Sequence, residues 1–432
     1  MPPQVEPVGA RKRRALLIVP LYACARNTGG GQRTFHLYES LRRFCEVDVL
    51  LVSQPETASL ESGYPDFFRG AFPQAAAIHL LRSRTSARWL PGKLAPWFDR
   101  LRLALEPRDL VYRPAARACR RLDELMGQSR YDVVVGRYLL PTSRAGALRR
   151  DDVPVLVDVD DRDDKVIESR LAAPTTPALA KPLLRWHLAR TRAVMAAQLG
   201  RCAHLWLASE ADRDEVQHAS KSVLPNIPYV EPHGESDSAV PAPAAGRTLL
   251  FVGTYMHRVN REGVLRFVQT CWPPIRRAVP DACFRVVGSG GWSGLRDKLE
   301  AQPGVTVVGT VTDLAREYAQ AAFSVVPLLE GSGTKIKVLE SLRFMRTVVA
   351  HVHAARGFDL LRHGESLLVA DTDGAMVEQC IALLNDAGLR HALAARGHAV
   401  VSHEYSLPRF AAIVFEDVAA AIDSARAATA SS

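Results

Sequence analysis

The stretch LLEGSGTKIKVLESL at residues 328–342 places glycines and small hydroxylated residues directly ahead of a segment carrying Lys335, Lys337 and Glu340. Those residue types can hold a phosphate. Glycine lets an anion approach the main chain, and a helix entrance offers bare N–H groups with roughly half a positive charge. The pattern predicts a helix from about Thr334, with Gly331, Ser332 and Gly333 in the turn ahead of it. Lys337 and Glu340, three residues apart, then lie about 60° from each other on one face, and Lys335 points about 160° away from Lys337. Val338, Leu342 and Met345 form the buried stripe. A cation beside a carboxylate can grip a diphosphate with the first and a ribose diol with the second. The same spacing also suits a plain surface ion pair.

Other groups could join that chemistry. VLVDVDDRDDK (155–165) crowds aspartates after an apolar run, so a compensating cation or ligand is expected there. Asp158 and Asp160 could clamp a metal on a diphosphate, or the cluster could be a solvated turn. NTGGGQ (27–32) could present N–H groups at Gly29, Gly30 and Gly31, or serve as a flexible turn only. Arg258 offers a further phosphate contact, while Asn260 reads as that residue's partner in phosphate binding or as a helix cap. His36, His257, His351 and His353 fall near expected strand ends without metal-ligand spacing.

Elements must bring these residues together, and the chain has a rhythm that can do so. Short apolar runs at 15–22, 47–53, 76–81, 131–137, 153–159 and 204–209 alternate with helical patterns. A stretch with prolines at 228, 232, 241 and 243 reads as a linker, after which runs recur at 248–254, 282–288, 305–310, 323–328, 347–351 and 366–371. Most runs are continuously apolar, as in parallel strands buried on both faces. The fold class is therefore α/β, with two doubly wound halves and a cleft expected where the carboxyl ends of their sheets face each other. The expected division is a basic tail at 1–14, a first domain at 15–226, a linker at 227–247, a second domain at 248–405, a helix at 406–425 packing back on the first domain, and a loose tail at 426–432.

Composition supports a folded chain of two cores, with 47% apolar and 23% charged residues among 432. Seven scattered cysteines without CxxC spacing suggest neither disulfides nor a zinc site, and fit a reducing cytosol. The basic residues at 11–14 followed by ALLIVPLYACA imitate a signal peptide, but the run reads better as a buried strand. No apolar stretch is long enough to span a bilayer. The formal charge of +9 is concentrated at 82–121, where eleven Lys or Arg stand against three acids with Trp89, Trp97 and Tyr112 among them. That mixture suits contact with anionic membrane or substrate phosphate, and no nucleic-acid motif accompanies it.

PLLEGSGTKIKVLESLRFMRTVVA resembles the nucleotide-sugar site of retaining family 4 glycosyltransferases (glycosyl transferases group 1) of the GT-B fold. LFVGTYMHRVNREG, FRVVGSG, GESLLVADT and HEYSLPRF match in order and spacing. The resemblance implies that Gly331, Ser332, Gly333 and Thr334 line the donor phosphate and sugar, with Gly30 and Gly31 opposite. Lys337, with Lys335 possible, would bind diphosphate and Glu340 the ribose. Glu330 would be the first acid of a paired-glutamate pattern, although nine residues separate it from Glu340 where seven are usual, and Asp160 would occupy the polar position beneath the sugar. The implied activity is transfer of a sugar from a nucleoside diphosphate sugar to an acceptor hydroxyl of a glycan or lipid-linked acceptor. The leaving phosphate would take the acceptor proton, and neither a cofactor nor a divalent metal is expected. Bacterial surface polysaccharide or glycolipid assembly at the inner face of the membrane is the implied setting. A sugar-nucleotide epimerase or a non-catalytic binding partner are the alternatives.

Overall fold

A computed structural model describes residues 12–26, 28–82, 111–172, 176–228, 246–331 and 333–430. Ser332, residues 83–110 of the basic region, most of the expected linker, residues 1–11 and the last two residues lie outside the described set. The chain divides into two compact units, the first made of Met1–Leu224 with Phe410–Ser432, the second of Pro225–Arg409.

The first unit is a seven-stranded parallel sheet in the order β3-β2-β1-β4-β5-β6-β7. Its strands are β1 (Arg13–Pro20), β2 (Cys45–Val52), β3 (Ala77–Leu81), β4 (Val133–Arg137), β5 (Val155–Asp158), β6 (His204–Leu207) and β7 (Lys221–Val223). The signal-peptide-like run is β1, paired on one side with β2 and on the other with β4, and Ala15 through Val19 are wholly buried. Strand β1 also includes Arg13 and Arg14, which the sequence assigned to a tail. Helix α1 (Gly29–Leu41) follows β1, and two antiparallel helices, α2 (Asp163–Ala172) and α3 (Lys181–Leu199), connect β5 to β6.

The second unit repeats the plan with six parallel strands in the order β10-β9-β8-β11-β12-β13. These are β8 (Thr248–Val252), β9 (Cys283–Val287), β10 (Val305–Gly309), β11 (Phe323–Val326), β12 (Val348–His351) and β13 (Leu368–Ala370). Helix α4 (Arg258–Arg266) follows β8 and helix α5 (Lys337–Arg343) follows β11. Both sheets are doubly wound, so the α/β reading holds in each unit. Among the described residues, no helix is long and apolar enough to cross a membrane. All seven cysteines are free.

Helix α6 (Leu407–Ala430) returns to the first unit and stays helical through residues expected to form a loose tail. Phe410, Val414, Val418 and Ile422 recur at fourfold spacing and are buried, which gives it a continuous apolar stripe. Asp417 adds polar pins. It accepts hydrogen bonds from Trp206 Nε1 at 2.7 Å and Ser222 Oγ at 2.7 Å, and lies 3.2 Å from His204 Nε2. Burial alone would raise the Asp417 pKa, but His204, Ser222 and Trp206 hold it below the ordinary carboxylate value.

Replacing Asp417 by Ala would leave the indole N–H of a fully buried Trp206 without its acceptor. Urea unfolding of Asp417→Ala is expected to show a loss of about 1–3 kcal/mol, with Asp417→Asn recovering part of it.

Candidate functional site

In the second unit the glycine turn lies just past the carboxyl end of β11, on the loop that leads to α5. The helix begins later than the sequence suggests, at Lys337 instead of Thr334, so the turn is separated from it by residues 334–336. Gly331 has φ +113°, a conformation that glycine takes without strain, and a Cβ there would approach Lys335 Nζ to 3.0 Å. Lys335 folds back over the turn, donating to the Gly331 carbonyl at 3.1 Å and to the Gly333 carbonyl. His353 Nε2 donates to the same Gly331 carbonyl at 2.8 Å. Thr334 accepts from Asn226 Nδ2 at 2.6 Å. The turn's carbonyls are thus engaged by side-chain donors.

Lys337 has a different setting. Its ammonium donates to Asn260 Oδ1 at 3.0 Å and lies 5.4 Å from the centroid of the Phe251 ring. Burial and the nearby Lys335 lower its pKa to about 8, with Glu340 opposing them. His257, at the start of α4, is likewise lowered by burial and by Lys337. Burial raises the pKa of Glu340, and Lys337 pulls it back only partly. Among the described residues, no side chain or backbone donor is hydrogen-bonded to the Glu340 carboxylate. A cation and a carboxylate one turn apart are thus both half-buried with few protein partners, and a ligand bearing phosphate and hydroxyls could engage each.

Asn260 is the residue that positions Lys337. It is 3% exposed, sits inside α4 and not at its cap, and donates through Nδ2 to the Thr254 carbonyl at 2.7 Å. Gly253 makes room for it, since a Cβ there would stand 2.9 Å from Asn260 Nδ2. Gly288 in turn lies so close to Gly253 that a Cβ would be 1.9 Å from the Gly253 carbonyl oxygen, which also accepts from Trp292 Nε1 at 2.8 Å. Arg258 points into an ion pair with Glu330 at 2.9 Å and another with Glu262 at 2.5 Å. Both glutamates raise its pKa. Met345, expected in the buried stripe, lies beyond the end of α5 with φ +53°, while Val338, Leu339 and Leu342 are buried. Arg346 occupies the buried space nearby and donates to the Tyr318 carbonyl at 2.6 Å.

In the first unit the compensating charge expected near Asp158 and Asp160 comes from within the chain. Arg33 donates to both oxygens of Asp158, from Nε at 2.9 Å and NH2 at 2.7 Å. Arg137 bridges Asp158 at 3.1 Å and Asp160 at 2.8 Å. Arg33, Arg137 and Asp158 are wholly or almost wholly buried, and Asp160 keeps 12% of its side chain exposed. Burial works against the Arg137 charge, but Tyr138, Asp158 and Asp160 outweigh it and raise its pKa. Gly30 and Gly31 open α1 beside this cluster. Gly31 is needed for close approach, because a Cβ would sit 1.9 Å from the Ala25 carbonyl oxygen, and one on Gly30 would meet Tyr138 OH at 2.9 Å. Tyr138 itself holds φ +68° at the end of β4. Among the described residues no group of three or more His, Cys, Asp or Glu is arranged to hold a metal ion.

The structure therefore gathers Gly331, Gly333, Thr334, Lys335, Lys337, Glu340, Arg258 and Glu330 in the second unit, and Gly30, Gly31 and Asp160 in the first. Sequence reasoning missed Arg33 and Arg137 altogether, read Asn260 as a phosphate contact or a helix cap and not as the partner of Lys337, and left His353 without a role.

Removing Arg33 would strand a buried carboxylate that Arg137 alone must serve. Arg33→Ala is expected to lose about 3–5 kcal/mol in chemical denaturation, far more than a half-exposed arginine such as Arg213.

Residues 246–386 match the family described as glycosyl transferases group 1. No curated protein sequence matches the chain. Among solved structures, sucrose-phosphate synthase from Thermosynechococcus elongatus superposes with a TM-score of 0.63 at 14% identity, covering 94% of this chain and 98% of its own. HepE of Anabaena, solved in complex with UDP and glucose, gives 0.58 at 11% identity over 94% and 100%. WaaG, a glycosyltransferase involved in lipopolysaccharide biosynthesis, gives 0.55 at 14% identity over 93% and 99%. Residues 246–386 thus resemble the glycosyl transferases group 1 family over about a third of the chain, and the chain as a whole shares its fold with these solved structures.

Proposed function

We propose that the protein is a retaining glycosyltransferase of hexosyltransferase type, moving a sugar from a nucleoside diphosphate donor to an acceptor hydroxyl in surface polysaccharide or glycoconjugate biosynthesis. The observation that carries this reading is the pair Lys337 and Glu340 beside the Gly331 turn, inside the family-matched segment. Lys337 and the turn would take the diphosphate, and Glu340 the ribose hydroxyls. HepE and WaaG, with their UDP, glucose and lipopolysaccharide associations, support the donor class and the pathway class. The bond from the sugar's anomeric carbon to the diphosphate breaks, the acceptor oxygen bonds to that carbon on the same face, and the acceptor proton passes to the departing phosphate oxygen. Fixed N–H groups and the Lys337 cation stabilise the charge that develops on that oxygen.

Asp160 serves in this reading as a positioning group and not as a base, because the Arg137 guanidinium already occupies one of its oxygens and fixes its direction. Glu330, tied to Arg258, orients the edge of the donor site. A divalent metal is not required: arginine groups already occupy oxygens of Asp158 and Asp160, and lysines supply charge for the diphosphate. Work at the cytoplasmic face of a membrane, with residues 82–121 against anionic lipid, completes the proposal, although residues 83–110 lie outside the described set.

Screening nucleotide sugars for slow donor hydrolysis, with and without chelator, tests donor class and metal independence together. Lys337→Met is expected to lower turnover about 100-fold or more, the scale of one lost transition-state contact near 3 kcal/mol. Unchanged turnover would remove Lys337 from the mechanism. The pH dependence follows from the lowered pKa. Lys337 is charged below about 8 and neutral above it, so kcat/KM should fall as pH rises through about 8, and Lys337→Met should lack that limb. Asn260→Asp places a carboxylate against the ammonium and should move the limb upward by about one pH unit or more.

A further inference from the structure

The aspartate run after β5 includes two carboxylates that the site chemistry above does not use. Asp158 and Asp160 are matched by Arg33 and Arg137, and Asp164 pairs with Arg162 at 2.9 Å. Asp161 and Asp163 instead line a cavity of about 240 Å³ within the first unit. Four neighbouring strands contribute to it at their carboxyl ends: Gln54 follows β2, Tyr22 follows β1, Tyr138 follows β4, and the two aspartates follow β5. Leu139 and Pro141, in the short helix Leu139–Ala145, form a buried apolar floor with Val159 and, from α3, Met195. One oxygen of Asp163 accepts from the Tyr112 hydroxyl, which fixes its direction.

The aromatic wall is built under strain. Tyr138 holds φ +68°, the left-handed region that a bulky side chain avoids. It is kept there from several sides. Its N–H donates to the Asp158 carbonyl at 2.9 Å, its carbonyl accepts from Thr142 Oγ1 at 2.7 Å, its hydroxyl accepts from Arg137 NH2 at 3.0 Å, and Arg137 Cζ lies 3.8 Å from its ring centroid. Tyr22 stands beside it, with ring centroids 5.8 Å apart and planes at 33°. Tyr22 is 44% exposed although Leu21 and Ala23 on either side of it are buried. Strain of this kind is kept where a ligand needs the geometry.

The lining selects the ligand. Tyrosine rings pack against the C–H face of a sugar ring, and carboxylates accept hydrogen bonds from its hydroxyls in the strong charge-assisted form. Among the described residues lining the cavity there is no Lys, Arg or His, although the whole chain carries 55 Lys and Arg against 46 Asp and Glu. A phosphate or carboxylate entering there would meet Asp161 and Asp163 as like charges, and complementary sites turn wrong partners away in that manner. Volume narrows the choice further. Sites for drug-sized ligands run to about 300–1,000 Å³, so this one admits a single ring and not a chain. The cavity also touches the reaction: the Arg137 group that holds Tyr138 donates to Asp160 at 2.8 Å.

We propose that this cavity is the acceptor site and takes one uncharged or amine-bearing sugar ring, stacked on Tyr22 and Tyr138 and hydrogen-bonded through its hydroxyls to Asp161 and Asp163. The inference rests on the glycosyltransferase reading and adds the acceptor's chemical class to it. The hydroxyl that receives the new sugar then belongs to a sugar already in place and not to an anionic group, so an earlier glycosyl transfer must supply this acceptor.

The test is saturation-transfer NMR of the full-length protein with methyl glucoside, methyl galactoside, methyl mannoside and methyl glucosaminide, against methyl glucuronide and glucose 6-phosphate, a measurement that needs no donor. At least one of the uncharged or amine-bearing hexosides is expected to receive saturation, and the two anions are not. Tyr22→Ala and Asp161→Ala should each weaken binding of that hexoside at least about tenfold, and Asp161→Lys should admit the anions, with circular dichroism showing each variant folded. Asp161 is exposed, so its substitutions probe the cavity without disturbing the core. In transfer assays with a nucleotide sugar that the protein hydrolyses, the same variants should raise the acceptor KM by a similar factor and move the donor KM less than about twofold. Equal or stronger binding of the anions, no binding of any of the other hexosides, or binding that the variants leave intact overturns the proposal. Absence of hydrolysis with every nucleotide sugar overturns the glycosyltransferase reading, while the NMR decides separately whether the cavity takes a sugar.

Discussion

A half-buried ammonium group with few protein partners is the constraint on which the second unit's site depends. Lys337 is held by one amide oxygen and one aromatic face, and its charge persists near neutral pH only because burial has not gone far enough to remove it. Several features of the unit make that compromise possible. Gly253 and Gly288 bring the ends of β8 and β9 together, Trp292 fixes their loop, and Asn260 is lodged so that its oxygen faces Lys337. The main chain around Gly331 is drawn in by Lys335 and His353, while Lys337 makes a single hydrogen bond among the described residues.

The first unit resolves the opposite problem by opposite means. Asp158 and Asp160 would repel each other at a strand end, and two buried guanidinium groups neutralise them with fork-like geometry that lysine cannot supply. Little binding capacity is left over at Asp158, and only the partly exposed edge of Asp160 remains available to a ligand. One unit is internally balanced at its strand ends and the other is left unbalanced, and the unbalanced one carries the family match.

Much of this was legible in the sequence because parallel strands buried on both faces must be continuously apolar. Each of the twelve runs identified corresponds to a strand. Strand β7 escaped notice because Lys221–Val223 is a half-buried edge strand of three residues, too short for a pattern. The glycines and the Lys337–Glu340 face were readable from local spacing. The start of α5 was not, since Gly, Ser and Thr look the same in a free turn and at a helix cap. Long-range partners left no trace at all: Arg33 and Asp158 are 125 positions apart, Asn226 and Thr334 108, and Asn260 and Lys337 77. An asparagine that caps and one that grips a distant lysine have identical neighbours in the sequence.

The docking of α6 on the first unit has a consequence for biosynthesis. Trp206 and Ser222 await an acceptor that lies 211 and 195 residues downstream. At ribosomal speeds of about 5–20 residues per second, the nascent first lobe spends on the order of ten to forty seconds with its flank uncovered, while the entire following lobe is translated. Completion of the earlier lobe thus waits on synthesis of the whole later lobe, and the interval before it is when chaperone capture or misassembly would find the chain most exposed.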